Sequence, residues 1–132
     1  MYKPKLEISE AVELGNYYLG QTNLKCPRCG WDYLHLRSVT IYDRAEDAEV
    51  TSVTTVRDGL SATHLLPSRD IANPSARRDG MAILFECEAC SINQNQWSPL
   101  IELTIAQHKG ITQLGWRFEP LTPQEIKEAK NG

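Results

Sequence analysis

Four cysteines stand in two pairs, Cys26-Pro27-Arg28-Cys29 and Cys87-Glu88-Ala89-Cys90, with fifty-seven residues between them. Two residues between a pair's sulfurs let both reach one ion from a single tight turn, and four thiolates at about 2.3 Å complete a tetrahedral zinc site. A fold that satisfies this pattern must bring two distant turns together. In the first pair Pro27 presets φ near −65°, and Gly30 can adopt positive φ just past the second sulfur. Backbone N–H groups then point at the sulfurs and offset their charge. The second pair lacks both devices, with Ser91 where the glycine would stand, but an apolar strand leads straight into it. The expectation is one structural Zn2+ held by Cys26, Cys29, Cys87 and Cys90. Four thiolates leave no open position, so such an ion builds fold and hydrolyses nothing. Two other chemistries use the same residues. A thioredoxin-like redox pair needs a βαβ setting, and a disulfide scaffold of this length carries more cysteines.

At 132 residues the chain has room for one domain of ordinary size. Its 41% apolar and 23% charged residues match a soluble protein and exclude collagen-like and strongly disordered chains. No apolar run approaches the ~18–20 residues a membrane span needs. The opening Met-Tyr-Lys-Pro-Lys-Leu-Glu-Ile lacks the unbroken apolar stretch of an export signal. A cytoplasmic location and no membrane partner are therefore expected. Formal net charge is −3, whereas general nucleic-acid binders are usually basic, since phosphate neutralisation supplies most of their affinity. The charge is uneven: residues 24–44 are net basic and residues 45–60 net acidic.

Extended structure dominates the pattern. Residues 31–42, 81–87, 99–107 and 111–118 read as strands of a central antiparallel sheet. Ile101, Leu103 and Ile105 fall on one face and Glu102 and Thr104 on the other; Leu114, Trp116 and Phe118 share a face on the returning strand, with Trp116 expected in the core. Val50–Val56 and Leu60–Leu66 flank Asp58-Gly59, a hairpin signal. Residues 67–80 are rich in breakers and form the longest loop. Thr122-Pro123-Gln124-Glu125 reads as a helix start, and Ser9 as the cap of a short helix over 10–14. The fold class is mainly β: an elaborated zinc ribbon with an antiparallel sheet, an inserted hairpin and a short C-terminal helix. Its parts are an N-terminal arm at 1–23, the ribbon domain at 24–118 with an insertion at 43–80, and the helical tail at 119–132.

The Cys-Pro-Arg-Cys-Gly knuckle followed by a strand, with the later Cys-x-x-Cys on another strand, resembles the zinc-ribbon class. Asn73-Pro74-Ser75-Ala76-Arg77-Arg78-Asp79-Gly80, Phe85-Glu86-Cys87-Glu88-Ala89-Cys90 and Leu103-Thr104-Ile105-Ala106-Gln107-His108-Lys109-Gly110 add to the likeness. Together they resemble small zinc-ribbon proteins of bacteria, phages and mobile elements, mostly of unassigned function. The resemblance covers about residues 24–118. It implies fold and metal, and no activity.

Outside the cysteines, the candidate contacts to a partner or to nucleic acid are Arg28, Trp31, Arg37, Arg69, Arg77, Arg78, Trp97 and Lys109. Arginine is the bidentate choice for phosphate and carboxylate, and exposed aromatics are enriched at interfaces. Against this, charges in a loop are usually solvated, and Asp70 and Asp79 can neutralise the neighbouring arginines. No GxxxxGK[ST], GxGxxG or HExxH motif and no Ser-His-Asp order is present. The chain therefore reads as a non-enzymatic zinc-binding interaction module that takes no small-molecule substrate. Its expected partner is a protein in a nucleic-acid-processing or defence-related complex. The other reading is a nucleic-acid binder with a local Arg/Lys face, which requires those residues to gather on one side.

Overall fold

The structure is a computed structural model and describes residues 12, 14–18, 20–89 and 100–118. Eight strands occur among these residues: β1 (Leu14–Tyr18), β2 (Gln21–Leu24), β3 (Leu34–Asp43), β4 (Val50–Arg57), β5 (Leu60–Pro67), β6 (Gly80–Cys87), β7 (Leu100–His108) and β8 (Ile111–Phe118). β1 and β2 form a two-stranded hairpin, and the other six form one antiparallel sheet in the order β5-β4-β3-β6-β7-β8. The fold is mainly β, as the alternation of apolar and β-branched residues predicts. The hairpin at 50–67, expected as an inserted element, joins the central sheet. β4 pairs with β3 from Ser38↔Arg57 to Asp43↔Ser52 and widens the same sheet by two strands. The short helix expected over 10–14 is not seen at its two described positions: Val12 is in no regular element and Leu14 begins β1, whose chain returns as β2 through Gly20 (φ 80). The rest of that helix and the C-terminal helix within 119–132 lie outside the described residues.

The turns follow their residues. Arg57 pairs with Leu60 across a two-residue loop in which Asp58 (φ 52) and Gly59 (φ 79) both take the left-handed conformation. That is the type I′ geometry whose twist matches a hairpin's strands. His108 pairs with Ile111 across Lys109-Gly110, with Lys109 at φ 56. The loop after β5 opens with a single 3-10 turn at Ser68–Asp70. It is then held by Asn73, whose side-chain amide donates to the Arg78 carbonyl (2.9 Å) while its Oδ1 accepts from the Ser75 N–H (3.0 Å). A side chain at Gly80 would run into Asn73 Oδ1 and the Pro74 ring, so glycine lets this loop lie against the start of β6.

The two faces of the sheet differ. One carries Leu36, Val39, Ile41, Ile83, Phe85, Ile101, Leu103, Leu114 and Trp116, and a β-bulge at Arg37 keeps that alternation in register with β6. At its Cys87 end this face is covered, and Cys26, Cys87, Ile101 and Trp116 form a buried cluster against which Val12, Leu24, Leu34, Phe85 and Phe118 pack. Elsewhere on this face Leu36, Ile41, Val56 and Leu114 are exposed, Leu36 directly opposite Phe85. Trp116 is thus in the core as its pattern predicts, while Leu114 on the same strand is not. The opposite face buries Tyr42, Ala82 and Ile71 in a second cluster and, beside it, the ion pair of Glu102 with Arg117 (2.7 Å).

Candidate metal centre

The two cysteine turns meet. Cys26, Cys29 and Cys87 place their sulfurs within 4.8 Å of one another, with 3.6 Å between those of Cys29 and Cys87. Zinc–thiolate bonds of about 2.3 Å set neighbouring sulfurs of a tetrahedron roughly 3.8 Å apart, close to the Cys29–Cys87 separation, so these three cysteines could hold a metal ion. Cys26 and Cys87 are buried and Cys29 is exposed. Cys90 lies outside the described residues.

The local sequence explains the first turn. The Cys26 N–H donates to the Trp31 carbonyl (2.7 Å) and the Gly30 N–H to the Cys26 carbonyl (2.9 Å), closing a loop around the pair. Gly30 takes φ 79, and a side chain there would meet nothing. Its role is therefore conformational rather than steric. The Arg28 N–H points at the Cys26 sulfur (3.4 Å). On the other side, Leu34 of β3 is paired with Cys87 at the end of β6, and the Glu88 N–H donates to the Tyr33 carbonyl (3.1 Å). The β3–β6 ladder thus delivers Cys87 to the knuckle that precedes β3.

Burial pushes the Cys26 thiol up to about 11, against the pull of the Arg28 and Cys29 N–H groups, and the nearby Cys87 thiol raises it further. Without a metal, the sulfur at the centre of this cluster holds its proton at neutral pH. A divalent cation supplies the positive charge that lets such a sulfur ionise in a buried place.

The other candidate residues do not gather at one point. Arg77 forms a fork on Asp47 (2.8 and 2.6 Å) and approaches Glu46. Arg78 pairs with Glu46. Both arginines therefore clasp the acidic turn before β4; Asp79 instead accepts from the Arg44 N–H (2.8 Å). Arg44, absent from the sequence candidates, also donates to the Ala48 and Ala76 carbonyls (2.8 and 3.0 Å) and ties the two loops together. Arg37 pairs with Glu86 (3.0 Å), Arg69 lies 3.9 Å from Asp70, and the Arg28 guanidinium sits 4.7 Å over the Phe118 ring. Trp31 is exposed and packs edge-on against Tyr33 (5.4 Å). Lys109 occupies the β7–β8 turn, and Trp97 lies outside the described residues.

The clasp has a pH signature. Hydrogen bonding to Arg77 holds the Asp47 carboxyl below its ordinary value of 3.8, with Arg77, Arg44 and Arg78 adding electrostatic pull. A lowered folded-state value means that the contact contributes fully above 3.8 and fades as pH falls through the depressed value. The Asp47 N–H, bonded to the Arg77 carbonyl (2.9 Å), is expected to stay protected from hydrogen exchange at pH 5. It is expected to lose that protection in strong acid, before the sheet amides lose theirs.

Comparison with protein-family models, with curated proteins and with solved structures found no match to this chain.

Proposed function

We propose that the chain is a structural-zinc protein of zinc-ribbon type, whose single ion is held by Cys26, Cys29, Cys87 and Cys90. In this reading it acts without catalysis, as an interaction module in a protein complex. The observation that carries the reading is the convergence of three sulfurs from two turns 58 positions apart. Cys90 follows Cys87 at the spacing that separates Cys29 from Cys26, which makes it the fourth ligand of choice. A closed four-thiolate set organises a fold and offers no site for substrate. A protein partner is favoured by the exposed apolar residues that share one face of the sheet, Leu36, Ile41, Val56 and Leu114. Patches of this kind mark interaction surfaces. Nucleic-acid binding is disfavoured because Arg37, Arg69, Arg77 and Arg78 each lie beside a carboxylate. The complex itself, in nucleic-acid processing or in defence, belongs to the same proposal.

The test is capture of partners from the native cell by three tagged proteins: wild type, Leu36→Arg and Arg77→Ala/Arg78→Ala. The account expects Leu36→Arg to lose the partner with its metal content intact, while the double arginine variant keeps it. Loss with the arginine variant alone, together with salt-sensitive binding to nucleic acid, would transfer the function to the Arg/Lys reading.

A further inference from the structure

Strand β5 is one edge of the six-stranded sheet. All eight of its residues are exposed, Leu60 at 76% and Leu65 at 74%. Its sequence, Leu-Ser-Ala-Thr-His-Leu-Leu-Pro, contains no Lys, Arg, Asp or Glu. Sheet edges are normally blunted by charges, prolines or bulges, because a row of unpaired N–H and C=O groups templates another strand. Here the register with β4 runs without a bulge from Arg57↔Leu60 to Val50↔Pro67, and the single proline stands at the very end. On β8, the opposite edge, Gly115, Trp116 and Arg117 are buried.

The hairpin fixes which backbone groups face outward. A two-residue loop closes on a hydrogen-bonded pair, here Arg57 with Leu60, and bonded and non-bonded pairs then alternate. Leu60, Ala62, His64 and Leu66 therefore spend their backbone bonds on β4. Ser61, Thr63 and Leu65 direct N–H and C=O away from the sheet. Pro67 falls in the outward set, where a missing N–H takes nothing from β4.

We propose that this edge pairs antiparallel with the same edge of a second copy of the chain, about a two-fold axis at Thr63. An axis perpendicular to the sheet keeps each residue on its own face, so residues that meet across it share parity. With the axis at Thr63, Thr63 meets Thr63 and Ser61 meets Leu65, and each pair exchanges backbone bonds. Leu60 then lies opposite Leu66 twice over, in the non-bonded positions where side chains approach most closely. Moving the axis one residue, to His64, would set two histidines against each other and break the leucine pairs. A second copy is the occupant favoured by charge: the chain is net −3, and this uncharged strand lets two copies meet with no like charges opposed. The pairing is isologous, so it closes on itself and uses up the edge instead of propagating. It does not depend on the metal, since β5 lies three strands from β6, which carries Cys87.

Sedimentation equilibrium of the full chain from about 1 µM to about 500 µM covers the affinities expected of a small two-strand interface. A dimer is expected at the upper end. Thr63→Pro removes one outward N–H and none that β4 uses, so it should weaken association at least tenfold with circular dichroism and metal content unchanged. Thr63→Lys keeps the N–H and sets two ammonium groups face to face; its association should be equally weak and should recover partly in high salt. The lysine variant decides the matter if the proline variant does not fold. A monomer across the whole range overturns the proposal, as does a dimer indifferent to both variants. A dimer broken by Leu114→Arg and not by Thr63→Pro also overturns it, by moving the interface to the apolar face.

Discussion

Cys87→Ser is expected to abolish stoichiometric zinc binding and, with it, the cooperative folding of the Cys end of the sheet. Cys87 is the sulfur with the fewest alternatives. It is buried at the end of β6, opposite Leu34, and 3.6 Å from Cys29. A hydroxyl there is a poor ligand for zinc. Binding free energies of about 10–16 kcal/mol in small zinc modules count directly as folding free energy. Marginal domains are stable by only about 5–15 kcal/mol in total. Losing the ion therefore removes a term as large as the whole stability. Cys26, Ile101 and Trp116 share that buried cluster, so the loss should reach the hydrophobic packing as well. The readouts are metal content together with the tryptophan emission, whose buried component from Trp116 is expected to shift to the red in the variant. Thermal unfolding of wild type in excess chelator should reproduce the variant's behaviour.

The second large effect lies on the other face of the sheet. Arg117 is 2% exposed, pairs with Glu102 at 2.7 Å, and leaves its Nη1 with no hydrogen-bond partner among the described residues. Its guanidinium also lies close to the Tyr42 hydroxyl, which burial pushes up from its ordinary value while Arg117 pulls it down. Glu102→Ala strands a buried cation, and truncating one member of a buried ion pair typically costs roughly 3–5 kcal/mol. A denaturant titration should show that loss. Replacing both partners, as Glu102→Leu with Arg117→Met, removes the charge as well as its counterion and should restore most of the stability. A single variant as mild as the double one would mean that Arg117 is solvated in ways its burial does not indicate.

Much of this was legible in the chain. The strands at 50–57, 60–67, 81–87 and 111–118 follow from β-branched runs and from Asp58-Gly59, since local propensity and turn chemistry agree there. The knuckle at Cys26–Gly30 follows from Pro27 and Gly30. The position of the 50–67 hairpin did not follow, because the partner of an edge-ward strand is set by long-range pairing that leaves no local mark. Alternation places Glu102 on the face opposite Ile101 and says nothing of whether that face is covered, on which its burial depends. One signal did exist: a two-residue turn at Lys109-Gly110 that sets His108 against Ile111 also sets Glu102 against Arg117. The loop arginines were visible as a cluster, but their partners Glu46 and Asp47 stand some thirty positions away, and only the folded chain brings them together.

The account stands on one divalent ion per chain, bound by sulfur. The direct measurement is elemental analysis of freshly purified protein by inductively coupled plasma mass spectrometry, with X-ray absorption at the zinc edge to read the ligands. One zinc per chain, coordinated by four sulfurs at about 2.3 Å, is the predicted result. Protein that is folded, monodisperse and free of stoichiometric metal, or a zinc bound mainly through nitrogen and oxygen, would contradict it.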